Sequence, residues 1–452
     1  MSYYLIEITN FILHNQDLKS PQATIITLVD YSKGFNRIDH CKLMEELAEM
    51  EIPGWLLRII ASYLEKRTLV VRYKGGESEP ADLPGGVGAG TLLGLWLFLV
   101  MMNRMAMGGE DDLNIGSTNK KESIKKCKKK WIDDLTIANV IDLKDCKKVT
   151  EDNLIRPLNF HSRTEHVLYP ESNPAQKELA EIFALAQEKQ MVVNRKKTKA
   201  MIFNPSRNID FEPFLYDPNG ETIDYVQQTK LLGVIISEDL RTELNTKNIE
   251  TKAYRRIWYL KRLIIHGCPI EDLVTVYIRQ VRSVCEYAVQ YWGPMITVQE
   301  CRRLERIQKT ALHVILGSQY KSYLEALSRL NLETLEERRK SLLVRFAMKT
   351  DEQEKFKHWF VKNPAKTINT RTMMSKWREP GCRTDRYRKS PIPYYTRILN
   401  ENVKDWDEVV LSNSNKCDQC KETFTTPSNM MVHRRIKHIA DGCDPQWSVK
   451  IQ

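Results

Sequence analysis

The strongest constraint on this chain is that carboxylates interrupt its most apolar stretches. Residues 23–30 (ATIITLVD) are rich in β-branched side chains and end on Asp30, while 131–138 (WIDDLTIA) carries Asp133 and Asp134 inside an otherwise apolar run. Both patterns predict strands of a buried sheet. A carboxylate without a partner is costly to bury, so acids placed in this way come with one. A pair of divalent cations is a partner that needs several clustered carboxylates. Mg²⁺ suits such a site because it takes hard oxygen ligands and leaves positions open for phosphates. The structural alternatives are a turn aspartate at position 30 and a hairpin apex at 133–134, and spacing alone leaves both open.

Around these strands the pattern alternates. Helices are expected over His40–Met50, Trp55–Leu64 and Ala175–Lys189, with short strands near Thr68–Tyr73 and at Ala200–Phe203. KLLGVIIS (230–237) reads as a further strand. A Gly-rich loop, LPGGVGAG (83–90), leads into the longest apolar run, Leu92–Met102. That run is about half the roughly 20 residues a membrane helix needs, so it is expected to be a buried helix, slightly weakened by Gly94. From about 247 to 347 the chain is mostly helical. In Cys301–Leu316 one face holds Leu304, Ile307, Ala311, Leu312 and Ile315, leaving Arg302, Arg303, Arg306 and Lys309 for solvent or phosphate. Gly317 is placed to end that helix.

The net charge of +11 is unevenly spread. Residues 120–130 hold seven lysines against Glu122, and 361–400 hold ten Lys/Arg against Glu379 and Asp385. Runs of this kind suit a polyanion, or else are solvated faces and linkers. No amphipathic apolar face accompanies the lysines, which argues against a membrane surface. The first residues lack a basic start and a continuous apolar core, so no secretory signal is expected, and most of the ten cysteines read as reduced core thiols of an intracellular, nuclear protein. Four prolines within 361–415 suggest a loosely structured basic linker.

Cys417 and Cys420 stand apart. Residues 417–438 (CDQCKETFTTPSNMMVHRRIKH) give Cys-x2-Cys-x12-His-x4-His, the spacing of a tetrahedral zinc site on Cys417, Cys420, His433 and His438. Four protein ligands fill the coordination sphere, so the zinc would be structural. Phe424 and Met430 supply the small core such a unit needs beside its metal. The segment resembles a C2H2 finger of ββα form, whose ligand is nucleic acid or protein.

Five segments, in order, resemble the motifs of non-LTR retrotransposon reverse transcriptases: LVDYSKGFNRIDH (28–40), LPGGVGAGTLLG (83–94), WIDDLTIA (131–138), MVVNRKKTKAMIF (191–203) and TKLLGVIIS (229–237). QYWGPMI (290–296) and LERIQKTALHVILG (304–317) resemble the helical thumb and connection that follow. The resemblance covers roughly residues 1–350. It implies an α+β fold: a palm over 1–240, a thumb and connection over 241–350, a basic linker over 351–415 and the finger over 416–440. It also implies that Asp30, Asp133 and Asp134 hold two catalytic Mg²⁺ ions, helped by the Tyr31 carbonyl. Phe35 would be the steric gate against a ribose 2′-hydroxyl, Gly90 would let backbone approach the dNTP, and one of Lys196, Lys197 and Lys199 (Lys197 the choice) would meet pyrophosphate. The expected partners are an RNA template, a DNA primer or target, and dNTPs. Two departures stand out. Gly88-Ala89-Gly90 replaces the family's Pro-Gln-Gly, and the first motif begins about 30 residues from Met1, without the preceding fingers motifs. They favour an alternative, an inactive remnant that binds nucleic acid through its zinc finger.

Overall fold

The computed structural model describes residues 1–104, 126–131, 134–141, 147–148, 166–167, 173–205, 215–362 and 376–401, apart from positions 21, 33 and 89. Two compact units divide them. One comprises Met1–Leu342 with Cys382–Pro391, the other Leu343–Gly381 with the residues from Ile392 onward.

The principal elements of the first unit, in chain order, are α1 (Ser2–Gln16), β1 (Ala23–Val29), α2 (His40–Glu49), α3 (Gly54–Leu64), α4 (Leu92–Arg104), β2 (Lys126–Trp131), β3 (Asp134–Ile141), α5 (Pro174–Glu188), β4 (Lys199–Phe203), β5 (Asp224–Tyr225), β6 (Gln228–Leu231), β7 (Val234–Ser237), α6 (Glu243–Ile265) and α7 (Val298–Leu316). The sheet order is β5-β4-β1-β3-β2, with β4 and β5 parallel and the other neighbours antiparallel. The β-branched run 23–29 therefore takes the central position. Being covered on both faces, it shows no polar alternation.

Ile25 and Val29 of β1 join Leu135, Ile137 and Ile141 of β3 in a core shared with Leu97 and Phe98 of α4 and Leu179 and Ile182 of α5. The Tyr4 hydroxyl of α1 donates to Thr136 Oγ1 at 2.6 Å. Helix α1 carries no sequence signal of its own, because every residue from Tyr4 to Leu13 is buried. A helix covered on all sides loses the 3.6-residue alternation that would reveal it.

Three sequence expectations change here. The KLLGVIIS run is a hairpin, β6–β7, because Leu232 (φ 47°) and Gly233 (φ 82°) make a two-residue turn of positive φ. The apolar run at 92–102 is helical but not wholly buried, since Leu92 is 90% exposed and Leu95, Trp96 and Leu99 are also exposed. The lysines of 126–129 are not a free polyanion surface. They lie in β2, where Lys126 and Lys128 face Glu178 of α5 at 3.8 and 3.6 Å and Lys129 meets Glu7 of α1 at 3.2 Å. Residues 120–125 lie outside the described residues.

The helical region agrees with its pattern: Leu304, Ile307, Ala311, Leu312 and Ile315 are buried and Gly317 caps α7 with φ 52°. Glu300 completes a capping box with Thr297, and its other oxygen accepts from Thr242 (2.8 Å) and Thr246 (3.1 Å), fixing the start of α6 against α7. Arg303, expected to face solvent or phosphate, instead pairs with Glu250 of α6. Within the same unit the Asp17 carboxylate, just past α1, accepts from the Arg383 and Thr384 N–H groups.

The expected linker over 351–415 is also folded where it is described. In the second unit, residues 392–401 are helical, Tyr395 is fully buried and Trp377 nearly so. Trp377 donates its indole N–H to Asp351 at 3.0 Å and exchanges backbone hydrogen bonds with the Asn400 amide. Pro391 and Pro393 lie in the first turn of that helix, where proline is tolerated. Among the described residues no helix is long and apolar enough to cross a membrane.

Candidate nucleotidyl-transfer site

Strand register brings the site together. The antiparallel pairing of β1 and β3 runs from Ala23↔Ile141 to Val29↔Leu135, and Asp30 and Asp134 are the next residues beyond that last pair. On the other side of β3, Trp131 pairs with Asp134 at the end of the β2–β3 ladder. Asp133 itself lies outside the described residues.

Asp30 is held by its backbone from both directions. Its N–H donates to Thr198 Oγ1 at 3.3 Å and its carbonyl accepts from the Asn194 N–H at 2.7 Å. Beyond it, Ser32 donates to the Val192 carbonyl at 2.7 Å and Tyr31 bridges to Val193. The 192–198 segment therefore clamps the end of β1 and leaves the Asp30 side chain about one-third exposed (35%). Lys197 Nζ lies 3.8 Å from Asp30 Oδ2, whereas Lys199 is engaged by Asp224 at 2.6 Å and Lys196 is exposed. Of the three candidate lysines, Lys197 is the one beside the carboxylate. Tyr31 is buried, and burial pushes its phenol well above the usual range, so it stays neutral.

Three positioning residues escaped the sequence reading: Thr198, Asn194 and Tyr4. The Tyr4 hydroxyl, besides Thr136, reaches the carbonyls of Lys129 (3.2 Å) and Asp134 (3.5 Å), tying α1 to the mouth of the hairpin. Burial, reinforced by the nearby Asp134 charge, raises its ionisation well above normal. Each acts across more than 100 residues or through a backbone contact, which no local pattern records.

Phe35 stacks on Phe98 of α4 with ring centroids 4.0 Å apart at 14°. It is half-buried, so it both packs and presents an edge. Its carbonyl accepts from Val87 at 2.7 Å, which draws the 83–91 loop against it. Gly86 adopts φ 80° there, and a Cβ would sit 2.8 Å from the Phe35 oxygen. The Gly86 carbonyl is gripped by His40 Nε2 (2.7 Å) and Arg67 (2.9 Å). Gly90 is exposed with φ 87° and open space around it, which suits close approach by a ligand. Ala89 lies outside the described residues.

Gly94, read from the sequence as a weak point of the helix, is a close-packing position. A Cβ there would lie 2.0 Å from the Gly88 carbonyl, and Thr91 Oγ1 links the two by accepting from the Gly94 N–H and donating to that carbonyl. Gly94→Ala is expected to displace the loop. The overpacking cost is about 1–3 kcal/mol, seen as a lower Tm together with a raised KM for nucleotide. An unchanged Tm and KM would show that the loop does not need this contact.

Among the described residues no three His, Cys, Asp or Glu side chains converge as a metal cluster. The donor set at the sheet nonetheless fits Mg²⁺. Asp30 and Asp134 are hard oxygen donors just beyond the last β1–β3 pair, solvent reaches Asp30, and the adjacent position 133 adds a third carboxylate in sequence. The zinc ligands Cys417, Cys420, His433 and His438 lie outside the described residues.

Residues 3–236 match the reverse transcriptase (RNA-dependent DNA polymerase) family, and this span takes in Asp30, Asp133, Asp134, Phe35, Gly90 and Lys197. The chain is 23% identical over 321 residues to a probable RNA-directed DNA polymerase from transposon BS of Drosophila melanogaster, aligning 68% of this chain with 31% of that protein's length. Among solved structures it is similar to telomerase from Candida tropicalis in complex with a fragment of telomeric RNA (TM-score 0.37, 10% identity, 96% of this chain and 52% of that one). A second is the corresponding Candida albicans complex (TM-score 0.28, 9% identity, 79% and 52%). Since the family match spans more than half of its 452 residues, the chain belongs to the reverse transcriptase (RNA-dependent DNA polymerase) family.

Proposed function

We propose that the protein is the palm-and-thumb portion of a non-LTR retrotransposon reverse transcriptase, adding dNTPs to a primer 3′-hydroxyl on an RNA template. What supports this reading is that Asp30 and Asp134 are the residues just beyond the last pair of the two central strands, Val29↔Leu135. Carboxylates gathered at one strand end favour positive charge there, of which Lys197 Nζ, 3.8 Å from Asp30, supplies part. Asp30, Asp134 and Asp133 would hold two Mg²⁺ ions, with the Tyr31 carbonyl an additional donor. When bound, such ions activate the attacking hydroxyl and stabilise the leaving pyrophosphate.

The chain's own residues then do the positioning. Thr198 and Asn194 fix the Asp30 backbone, and Tyr4 braces the hairpin that carries the other acids. Lys197 Nζ supplies a positive charge beside Asp30 and can hand a proton to the departing pyrophosphate. Gly90 leaves room for the nucleotide. Phe35, its ring backed by Phe98, blocks a 2′-hydroxyl and selects deoxyribose. Phe35→Ala is expected to raise the ratio of ribonucleotide to deoxyribonucleotide incorporation at least about tenfold, and to cost roughly 1–2 kcal/mol because the ring is only half-buried. If the ratio stays at the wild-type value while stability falls, Phe35 is a packing residue alone.

The C-terminal segment 417–438 would form a zinc finger that holds template or target near this site, reading about three base pairs if it meets DNA. Gly88-Ala89-Gly90 in place of the family's Pro-Gln-Gly leaves a second reading, a nucleic-acid-binding protein without polymerase activity. Primer extension on poly(rA)/oligo(dT) with Mg²⁺, wild type beside Asp133→Ala, decides between them. Extension lost in the variant supports the enzyme, and none by the wild type supports the second reading.

A further inference from the structure

Helix α6 buries Ile249, Ala253, Ile257 and Leu260, and turns the opposite face to solvent. That outward face is aromatic and basic. Trp258 is 55% exposed, Tyr259 60% and Tyr254 38%. The Arg262 guanidinium lies 5.5 Å over the Trp258 ring, and the Trp258 and Tyr259 rings sit 5.4 Å apart. From 251 to 265 there are five bases, Lys252, Arg255, Arg256, Lys261 and Arg262, and no acid. Among the described residues no ion pair involves these five, in contrast to Arg303 and Arg338 elsewhere in the same unit. Around Lys252 the positive charge is concentrated: burial first, then Lys230 of β6 and Arg256, hold its ammonium below the ordinary lysine range.

We propose that this face of α6 is a stacking platform for an unpaired segment of RNA, with bases on Trp258 and Tyr259 and phosphates on Arg255 and Lys261. Large exposed rings with uncompensated bases between them match a single strand, whose bases offer their flat faces while its backbone carries charge. A duplex hides those faces and would use the bases alone. A cationic face without acids also gives a protein partner little electrostatic complementarity unless that partner is itself strongly acidic. The assignment to RNA rests on the proposed use of an RNA template. The platform is separate from the carboxylate site, so the two can fail independently.

The test uses the full chain and a uridine-rich single-stranded RNA of about 12 nucleotides containing 4-thiouridine. Photocrosslinking followed by trypsin is expected to mark residues 257–261 (IWYLK). Trp258→Ala with Tyr259→Ala should weaken single-strand binding roughly tenfold to a hundredfold while an RNA–DNA hybrid binds nearly as before. Trp258→Phe should retain most of the affinity. Arg255→Gln with Lys261→Gln should reduce the salt dependence instead. Asp30→Asn should bind the RNA as wild type does, whatever its polymerase activity. Absence of the 257–261 adduct, equal loss of hybrid and single strand, or equal affinity for a DNA oligonucleotide of the same sequence would overturn the assignment. So would an adduct suppressed by an acidic peptide or an anionic vesicle but not by competing RNA.

Discussion

Replacing Asp30 with asparagine is expected to lower Mg²⁺-supported primer extension about a thousandfold without lowering the melting temperature. The two halves of this result have one cause. Asp30 and Asp134 are the residues just beyond the last pair of the central strands, so without metal their charges disfavour each other, an effect that Lys197 beside Asp30 offsets in part. Neighbouring like charges cost a few tenths of a kcal/mol to about 1 kcal/mol, and removing one relieves that. With metal present, the lost carboxylate removes several kcal/mol of charge stabilisation in the transition state, and about 4 kcal/mol corresponds to a thousandfold. The backbone clamp by Thr198 and Asn194 uses only the Asp30 N–H and carbonyl, so asparagine keeps it. Mn²⁺ titration followed by electron paramagnetic resonance, beside thermal melts, separates the two effects. A variant that extends primers within tenfold of wild type, or binds Mn²⁺ equally well, would remove Asp30 from the site.

Stripping zinc is expected to unfold residues 417–438 while leaving the palm intact. On the proposed zinc-finger reading, so short a unit would have little core besides Phe424 and Met430, so metal binding would supply its folding free energy, of order 10–16 kcal/mol in comparable peptides. Purified protein should carry one zinc per chain in addition to any Mg²⁺. Cobalt substitution should give the visible absorption of a tetrahedral thiolate site, and Cys420→Ser should abolish it. Chelation should raise hydrogen exchange across 417–438 and leave that of 23–29 and 134–141 unchanged. Protein that holds no zinc, or a Cys420→Ser variant whose cobalt spectrum matches wild type, would exclude the finger.

The strands that carry or adjoin Asp30 and Asp134 were legible because their signals are local. A β-branched run ending in Asp30 and an apolar run holding two acids are both unusual enough to be read without a structure. The amphipathic face of α7 was equally plain, since only one side of that helix is covered. What escaped depended on long-range contact. Helix α1 is buried all round and so shows no period. The lysines of β2, poor strand formers, are accommodated because Glu178 and Glu7 reach them from two helices. Gly94 looked like a flaw in a helix until the Gly88 carbonyl was seen against it. Arg303 followed the solvent side of its helix by periodicity, yet Glu250 on α6 captures it. The segment 376–401 looked loose because its prolines and charges dominate its composition, while the buried Trp377, Tyr387 and Tyr395 that pack it are widely spaced.

Template choice tests the central claim most directly. Primer extension by the full chain should be measured with Mg²⁺ and dNTPs on matched RNA and DNA templates, with Asp30→Asn and Asp133→Ala alongside. DNA synthesis is expected on the RNA template, dependent on Mg²⁺, with dNTPs preferred to ribonucleotides, and lost in both variants. Synthesis that survives both substitutions would contradict that claim, as would a wild-type chain that binds the primed RNA template but adds no nucleotide.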